Sequence, residues 1–293
     1  MIENTNRYID PLTDFGFKHI FGSEPNKDIL IEFLNALFQG EKRVIDITYS
    51  PTEHGGSHIE EKKVLFDLTC TGQDGEQFII EMQRTGQKFF ADRCVFYMSR
   101  LISAQLPRGA HDWNVPLKEV YLIGIMEFQF NNINGNYLHN IALTNTDTGK
   151  VFYKGMGFKF LELPNFDKQE HELESELDKW FYLLKNLSRL NEIPRFLDKR
   201  VFQKIFKIAE VSRLTKEQRE LYESDIKAKS DWKGGMDWAK EQAAEQASEK
   251  AAKETTLEIA SKLKAIGRPS DEIAKVTGLS IEEIDKLPGV DEQ

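Results

Sequence analysis

Cysteine is scarce: Cys70 and Cys94 are the only two in 293 residues. Both stand inside apolar, regular segments, which reads as two reduced core thiols and excludes a disulfide framework. No apolar run approaches the ~20 residues needed to cross a bilayer. The longest, Val120 to Met126, has the length of a buried strand. Met1 to Arg7 is polar and carries no signal-peptide core, so a cytoplasmic protein without membrane contact is expected. There is no GxGxxG fingerprint, Walker loop or nucleophile elbow, which leaves no basis for a nucleotide cofactor or acyl transfer. His54 and His58 flank Gly55-Gly56-Ser57, but without a Cys or further His nearby they do not make a metal loop. An excess of positive charge is missing too. With 39 Lys and Arg against 48 Asp and Glu the net charge is −9, which argues against coating nucleic acid by charge alone.

The charge that is present is unevenly spread. Arg84, Lys88, Arg93, Arg100 and Arg108 stand against the single acid Asp92, whereas Asp167, Glu170, Glu172, Glu174, Glu176 and Asp178 crowd a later segment. A basic strip on an acidic protein suits an enzyme that must release a polyanion.

Hydrophobic periodicity orders the elements. Ile29, Leu30, Phe33, Leu34, Leu37 and Phe38 predict a first helix over Asn26 to Phe38, ending before Gly40. Val44 to Tyr49 alternates as a strand, His54 to Ser57 reads as a loop, and Val64 to Thr71 and Gln77 to Gln83 read as two further strands. Gly86 to Leu106 is a long helix with Phe89, Phe90, Cys94, Tyr97, Met98, Leu101 and Ile102 as its apolar stripe. Lys118 to Phe128 is an interior strand, and shorter strands are expected near Tyr137–Leu143 and Val151–Tyr153. Helix, three strands, helix, strand: the order predicts an α/β fold with helices against a sheet. Beyond Leu163 the chain turns helical, over Gln169–Leu190 and Ile193–Ala209. Trp232-Lys233-Gly234-Gly235 reads as a hinge before a solvated helix over Trp238 to Ala265. Three regions are therefore expected: 1–165, a helical extension 166–231, and 232–293, a long helix plus a small helix-turn-helix-like tail. In that tail Ile273, Val276, Leu279, Ile281, Ile284 and Leu287 would pack, with a capping box from Ser280 to Glu283. Its second helix carries three acids and one base, which favours partner binding or self-association over DNA reading.

The chemistry lies in Asp67 and in Glu81-Met82-Gln83. Alternation puts Glu81 and Gln83 on one face of their strand and Phe78, Ile80 and Met82 on the other. Whether Asp67 joins them depends on register. A two-residue turn at Asp74-Gly75 sets Asp67 opposite Met82, on the wrong face. A three-residue loop, Gln73-Asp74-Gly75 with Gly75 left-handed, sets Asp67 opposite Glu81. Paired carboxylates ~4.5–5.5 Å apart at Cβ repel, and a divalent cation removes the conflict. Two carboxylates with water suit Mg2+, with Mn2+ as a substitute, and such an ion acidifies water and neutralises a phosphodiester under attack. Composition and spacing alone leave open an ordinary hairpin with two solvent-facing acids.

The run Asp10 to Gly22 (DPLTDFGFKHIFG), Phe78 to Arg84 (FIIEMQR) and Ile273 to Ser280 (IAKVTGLS) resemble the PD-(D/E)XK nuclease superfamily, close to the recombination-promoting nuclease/transposase family. The resemblance implies a restriction-endonuclease-like core and a Mg2+-dependent endodeoxyribonuclease acting on DNA in bacterial recombination or transposition. It makes Asp67 and Glu81 metal ligands and puts Gln83 where a lysine usually stands. A neutral amide can orient water and phosphate there, without the lysine's charge.

Asp14, placed just before the first helix, either approaches this site or caps the turn at Phe15-Gly16. Arg93 and Tyr97, one helical turn apart, either grip a phosphate or fill a salt bridge and the core. Lys62, Lys63, Arg84 and Lys88 are candidate phosphate contacts. Two other functions stay open: a nucleic-acid-binding module of the same fold without cleavage, and a self-associating scaffold. A homodimer is left open as well.

Overall fold

The computed structural model describes residues 6–51, 53–54, 64–106, 116–130 and 135–288. By its contacts the chain divides into two compact units, residues 1–226 and 227–293.

The first unit opens with a short helix, α1 (Asp14–Phe21), that the sequence reading did not anticipate. Thr13 caps it by accepting a hydrogen bond from the Gly16 N–H at 3.0 Å, and Phe17, Ile20 and Phe21 bury its inner side. Gly16 is required there. A Cβ on it would lie 2.0 Å from the Asp10 carbonyl oxygen, so the motif folds back on itself more tightly than a side chain allows. Helix α2 (Lys27–Phe38) follows as expected, its six core residues all buried.

Next come β1 (Ile47–Tyr49), β2 (Glu53–His54), β3 (Val64–Leu65), β4 (Leu68–Gly72), β5 (Gln77–Gln83), α3 (Phe90–Ala104), β6 (Val120–Met126), β7 (Leu138–Thr144) and β8 (Val151–Glu162). His54 lies in a two-residue strand paired with Val64, not in a loop. Gly55 to Ser57 and His58 lie outside the described residues. The expected strand Val64–Thr71 is broken at Phe66–Asp67.

Six strands form one mixed sheet in the order β1-β4-β5-β6-β8-β7. The centre is parallel, β5 to β6 and β6 to β8, and the flanking pairs are antiparallel. The connection β5–α3–β6 is the crossover that two parallel neighbours need. Interior β6 is buried along nearly its whole length, as a strand covered on both faces must be.

Two cores result. On one face Phe78, Ile80, Ile123, Ile125 and Leu161 pack with α1, α2, α4 (Glu176–Asn186) and α5 (Arg200–Ala209). On the other, Ile79, Leu122, Met126 and Phe160 pack with Phe90, Cys94, Met98 and Leu101 of α3. Both cysteines are buried and free.

Helix α6 (Lys216–Ala265) runs unbroken through Trp232 to Gly235, so the expected hinge is instead helix. Each glycine costs the helix roughly 1 kcal/mol relative to alanine, and the flanking Ala, Glu and Lys residues outweigh that cost. In the second unit α7 (Ser270–Thr277) and α8 (Ile281–Asp285) pack Ile273 and Ile284 against Ala260, and the capping box between Ser280 and Glu283 forms. Val276 and Ile281 do not join this core; they are exposed. Among the described residues no helix is long and apolar enough to cross a membrane.

Candidate active site

The hairpin between β4 and β5 decides which residues meet. Leu68 pairs with Ile80 and Thr71 with Gln77, and the Gly72 N–H reaches the Glu76 carbonyl at 2.8 Å. Gln73-Asp74-Gly75 is thus a three-residue loop, and Gly75 takes φ +85°, where glycine is at ease. This register sets Asp67 across from Glu81.

Asp67 then leaves the ladder. Its carboxylate accepts the Met82 backbone N–H at 2.8 Å, and its own N–H donates to Glu81 Oε1 at 3.3 Å. Each acid therefore holds a main-chain hydrogen of the other strand. Glu81 is 6% exposed, on the α3 face two residues after Ile79. Gly124 of β6 lies beside it, and the Phe160 ring covers that glycine.

Electrostatics sets this pair apart. Burial pushes the Glu81 carboxyl up to about 8, and the negative charge of Asp67 adds to the shift. The Asp67 N–H, Arg93 and Lys18 pull the other way. Asp67 is also raised, by burial first. The Met82 N–H opposes it, Asp14 adds to it, and Lys18 and Arg84 oppose it. Nearby Cys94 is held up to about 12 by burial and by Glu81. Two oxygen-donor acids, Glu81 buried and Asp67 half-buried, thus meet without enough positive charge to keep both ionised. Hard divalent cations fit such a donor set. Among the described residues no group of three or more His, Cys, Asp or Glu is arranged for a metal, so the candidate donors number two.

Gln83 pairs with Met126, which packs in the α3 core, so the amide shares the face of Glu81. Its Nε2 donates to the Thr85 carbonyl at 3.4 Å. Asp14 does not precede the first helix: it opens α1, leaves the cap to Thr13, and pairs with Lys18 at 2.8 Å while its charge reaches Asp67. Lys18 was not singled out from the sequence as a site residue. Its signal was the i,i+4 spacing from Asp14 within the opening motif.

Arg93 Nη2 donates to the Tyr97 hydroxyl at 2.8 Å, and its guanidinium lies 5.4 Å from that ring. Tyr97 meets Phe66 edge-on at 5.2 Å. Arg84 is half-buried and turned inward, its Nε donating to the Leu12 carbonyl at 3.1 Å. That bond ties the end of β5 to the turn before α1. Lys88 is exposed beside Phe89. Lys62 and Lys63 lie outside the described residues.

A mixed six-stranded sheet with helices on both faces is a restriction-endonuclease-like fold. The family model of the PD-(D/E)XK nuclease family transposases matches residues 11–239, and the chain belongs to that family. No curated protein and no solved structure matches the chain.

Proposed function

We propose that this protein is a metal-dependent endonuclease that hydrolyses DNA phosphodiester bonds, with Asp67 and Glu81 holding the ion. The supporting observation is the crossed clasp at these two acids, one buried and one half-buried and both raised in pKa. Mg2+, or Mn2+ in its place, supplies Lewis acidity when bound, acidifying water and screening the phosphodiester's charge. Asp67 and Glu81 would hold the ion through their carboxylate oxygens, a donor type that suits a hard divalent cation. Gln83 orients the phosphate or the attacking water through its amide. Lys18 and Arg93, whose charges reach Glu81, provide the positive field that a neutral residue at 83 does not. The match to a family of nuclease-type transposases supports a setting in DNA transposition or recombination, and on this reading the protein acts in the cytoplasm of a bacterium. Cutting both strands with one site per chain calls for two chains, hence a homodimer on this reading.

The neutral Gln83 also favours a second reading, a DNA-binding module that no longer cuts. Incubation of supercoiled plasmid with Mg2+ or Mn2+ separates the two. On the nuclease reading the wild type converts it to nicked or linear forms. Asp67→Ala and Glu81→Ala then lose about 100-fold or more of that rate, the scale on which a charge-stabilising group acts. Plasmid that stays supercoiled with bound wild-type protein would establish the binding module instead.

A further inference from the structure

The face of α3 turned away from the core carries aromatic rings that the fold does not use. Phe89 is 66% exposed and Phe96 41%, while Phe90 between them is buried at 5%. The Phe90 ring packs against Phe128, Phe130 and Phe160 at 5.6–5.7 Å. Phe89 makes this possible by adopting φ 66°, a left-handed conformation uncommon for a bulky residue. Two consecutive phenylalanines thereby point in opposite directions, one inward and one out.

Basic groups interleave with these rings. The Phe89 carbonyl accepts the Arg93 N–H, so the two lie one turn apart. Phe96 and Arg100 follow at the next two turns, so the helical period sets Arg93, Phe96 and Arg100 along one ridge, and the exposed Phe89 stands at its start as the residue before the helix. Lys88 Nζ lies 5.2 Å from the centre of the Phe89 ring. The ridge runs close to the carboxylates at Arg93: its helix is the next element after β5, and the charge of Arg93 reaches Glu81.

We propose that this ridge seats an unpaired DNA strand, with bases stacking on Phe89 and Phe96 and phosphates held by Lys88 and Arg93. The occupant follows from the chemistry of the surface. A local excess of positive charge on a chain of net charge −9 calls for a polyanion. Exposed flat rings add nothing against the closed stack of a duplex, whereas every unpaired base offers a π-face. A second copy of the chain fits poorly, since docking ridge on ridge would bring arginines together. As the seat of a nuclease substrate, the ridge rests on the reading above and narrows the substrate to DNA with a single-stranded segment. As a binding surface it stands alone.

Fluorescence anisotropy with a labelled oligothymidylate and a duplex of equal length, in EDTA so that nothing is cut, tests both parts. The full chain is expected to bind the single strand more tightly. Phe89→Ala and Phe96→Ala should each weaken single-strand binding by about 5- to 100-fold, the worth of one stacking platform, and leave duplex binding unchanged. Phe89→Trp should restore it. Thermal melting of each variant checks that the fold persists, as exposed positions predict. Equal single-strand affinity in wild type and both alanine variants would overturn the proposal, as would tighter duplex binding by the wild type. So would a fall in solution mass on Phe89→Ala, which would mean that a second copy covers the ridge. Ring-dependent strand binding by a chain that never nicks plasmid would retain the seat and remove only the nuclease reading.

Discussion

Two buried carboxylates in this fold show opposite treatment. Asp178, 2% exposed, receives the N–H groups of Ser175 and Glu174 at 3.0 and 3.1 Å and the Lys168 ammonium at 3.0 Å. Burial pushes its pKa up, but these donors outweigh burial and hold it below the ordinary carboxylate value. Its charge therefore stabilises the fold above the unfolded-state pKa of about 3.9, and that contribution fades as pH falls through the lower folded value. Asp178→Asn should cost about 1–3 kcal/mol at pH 7. The deficit should shrink below about pH 4, read from denaturant melts across that range. Glu81 is the reverse case: buried, next to another acid, and short of donors. With its carboxyl raised to about 8, folding near neutral pH makes Glu81 take up a proton that the unfolded chain releases, so removing the ionisable group should relieve the metal-free protein. Glu81→Gln is expected to raise the melting temperature in EDTA and to abolish any further rise on adding Mg2+. A variant that melts lower in EDTA and still responds to Mg2+ would contradict both halves.

At the scale of elements the β4–β5 hairpin carries most of the consequence. Deleting Gln73 would leave a two-residue turn, slip the register by one, and send Asp67 to the opposite face. Such a deletion should abolish plasmid nicking even if the chain still folds, whereas Gly75→Ala, which forces a side chain into the left-handed region, should cost about 1–2 kcal/mol and leave the register in place. The sequence narrows this hairpin to two registers, and the structure takes the three-residue loop, with Gly75 left-handed. The break at Phe66–Asp67 was not legible. Nothing local shows that an aspartate will take the amide of Met82 instead of continuing its strand. The late start of α3 was hidden likewise, since a helical run beginning Phe89-Phe90 gives no sign of a left-handed phenylalanine. Helix α1 escaped because eight residues hold too few turns for periodicity to register. Strand β8 extends to Glu162, well beyond Val151–Tyr153, and that extension is hidden in the sequence because Gly155 and Gly157 interrupt the alternation that marks a strand. In α6 the glycine pair weighed too heavily against its neighbours, which are strong helix formers.

Across the whole molecule, stability is unevenly distributed. The first unit holds both large cores, and helices α4 and α5 belong to the same cluster as the sheet. The second rests on Ala260, Ile273 and Ile284 as its fully enclosed side chains, a core too small to resist much perturbation. Ile273→Ala, costing about 2–5 kcal/mol locally, should therefore abolish hydrogen-exchange protection in α7 and α8. Protection of β5 and β6 should be unchanged. Loss of protection in the sheet as well would show that the two units fold as one. The family match spans residues 11–239 and so ends inside α6, short of α7 and α8. On the endonuclease reading, cleavage is a property of the first unit.

The pair of hydrogen bonds that ties Asp67 to Met82 and to Glu81 has one more consequence. The Met82 amide is bonded to a carboxylate that the proposed ion would also engage. That single proton is a natural spectroscopic probe of occupancy: its resonance would move as Asp67 shares its electrons, before any phosphodiester is present. Titration of an isotopically labelled sample could then follow loading of the acids without a cleavage readout.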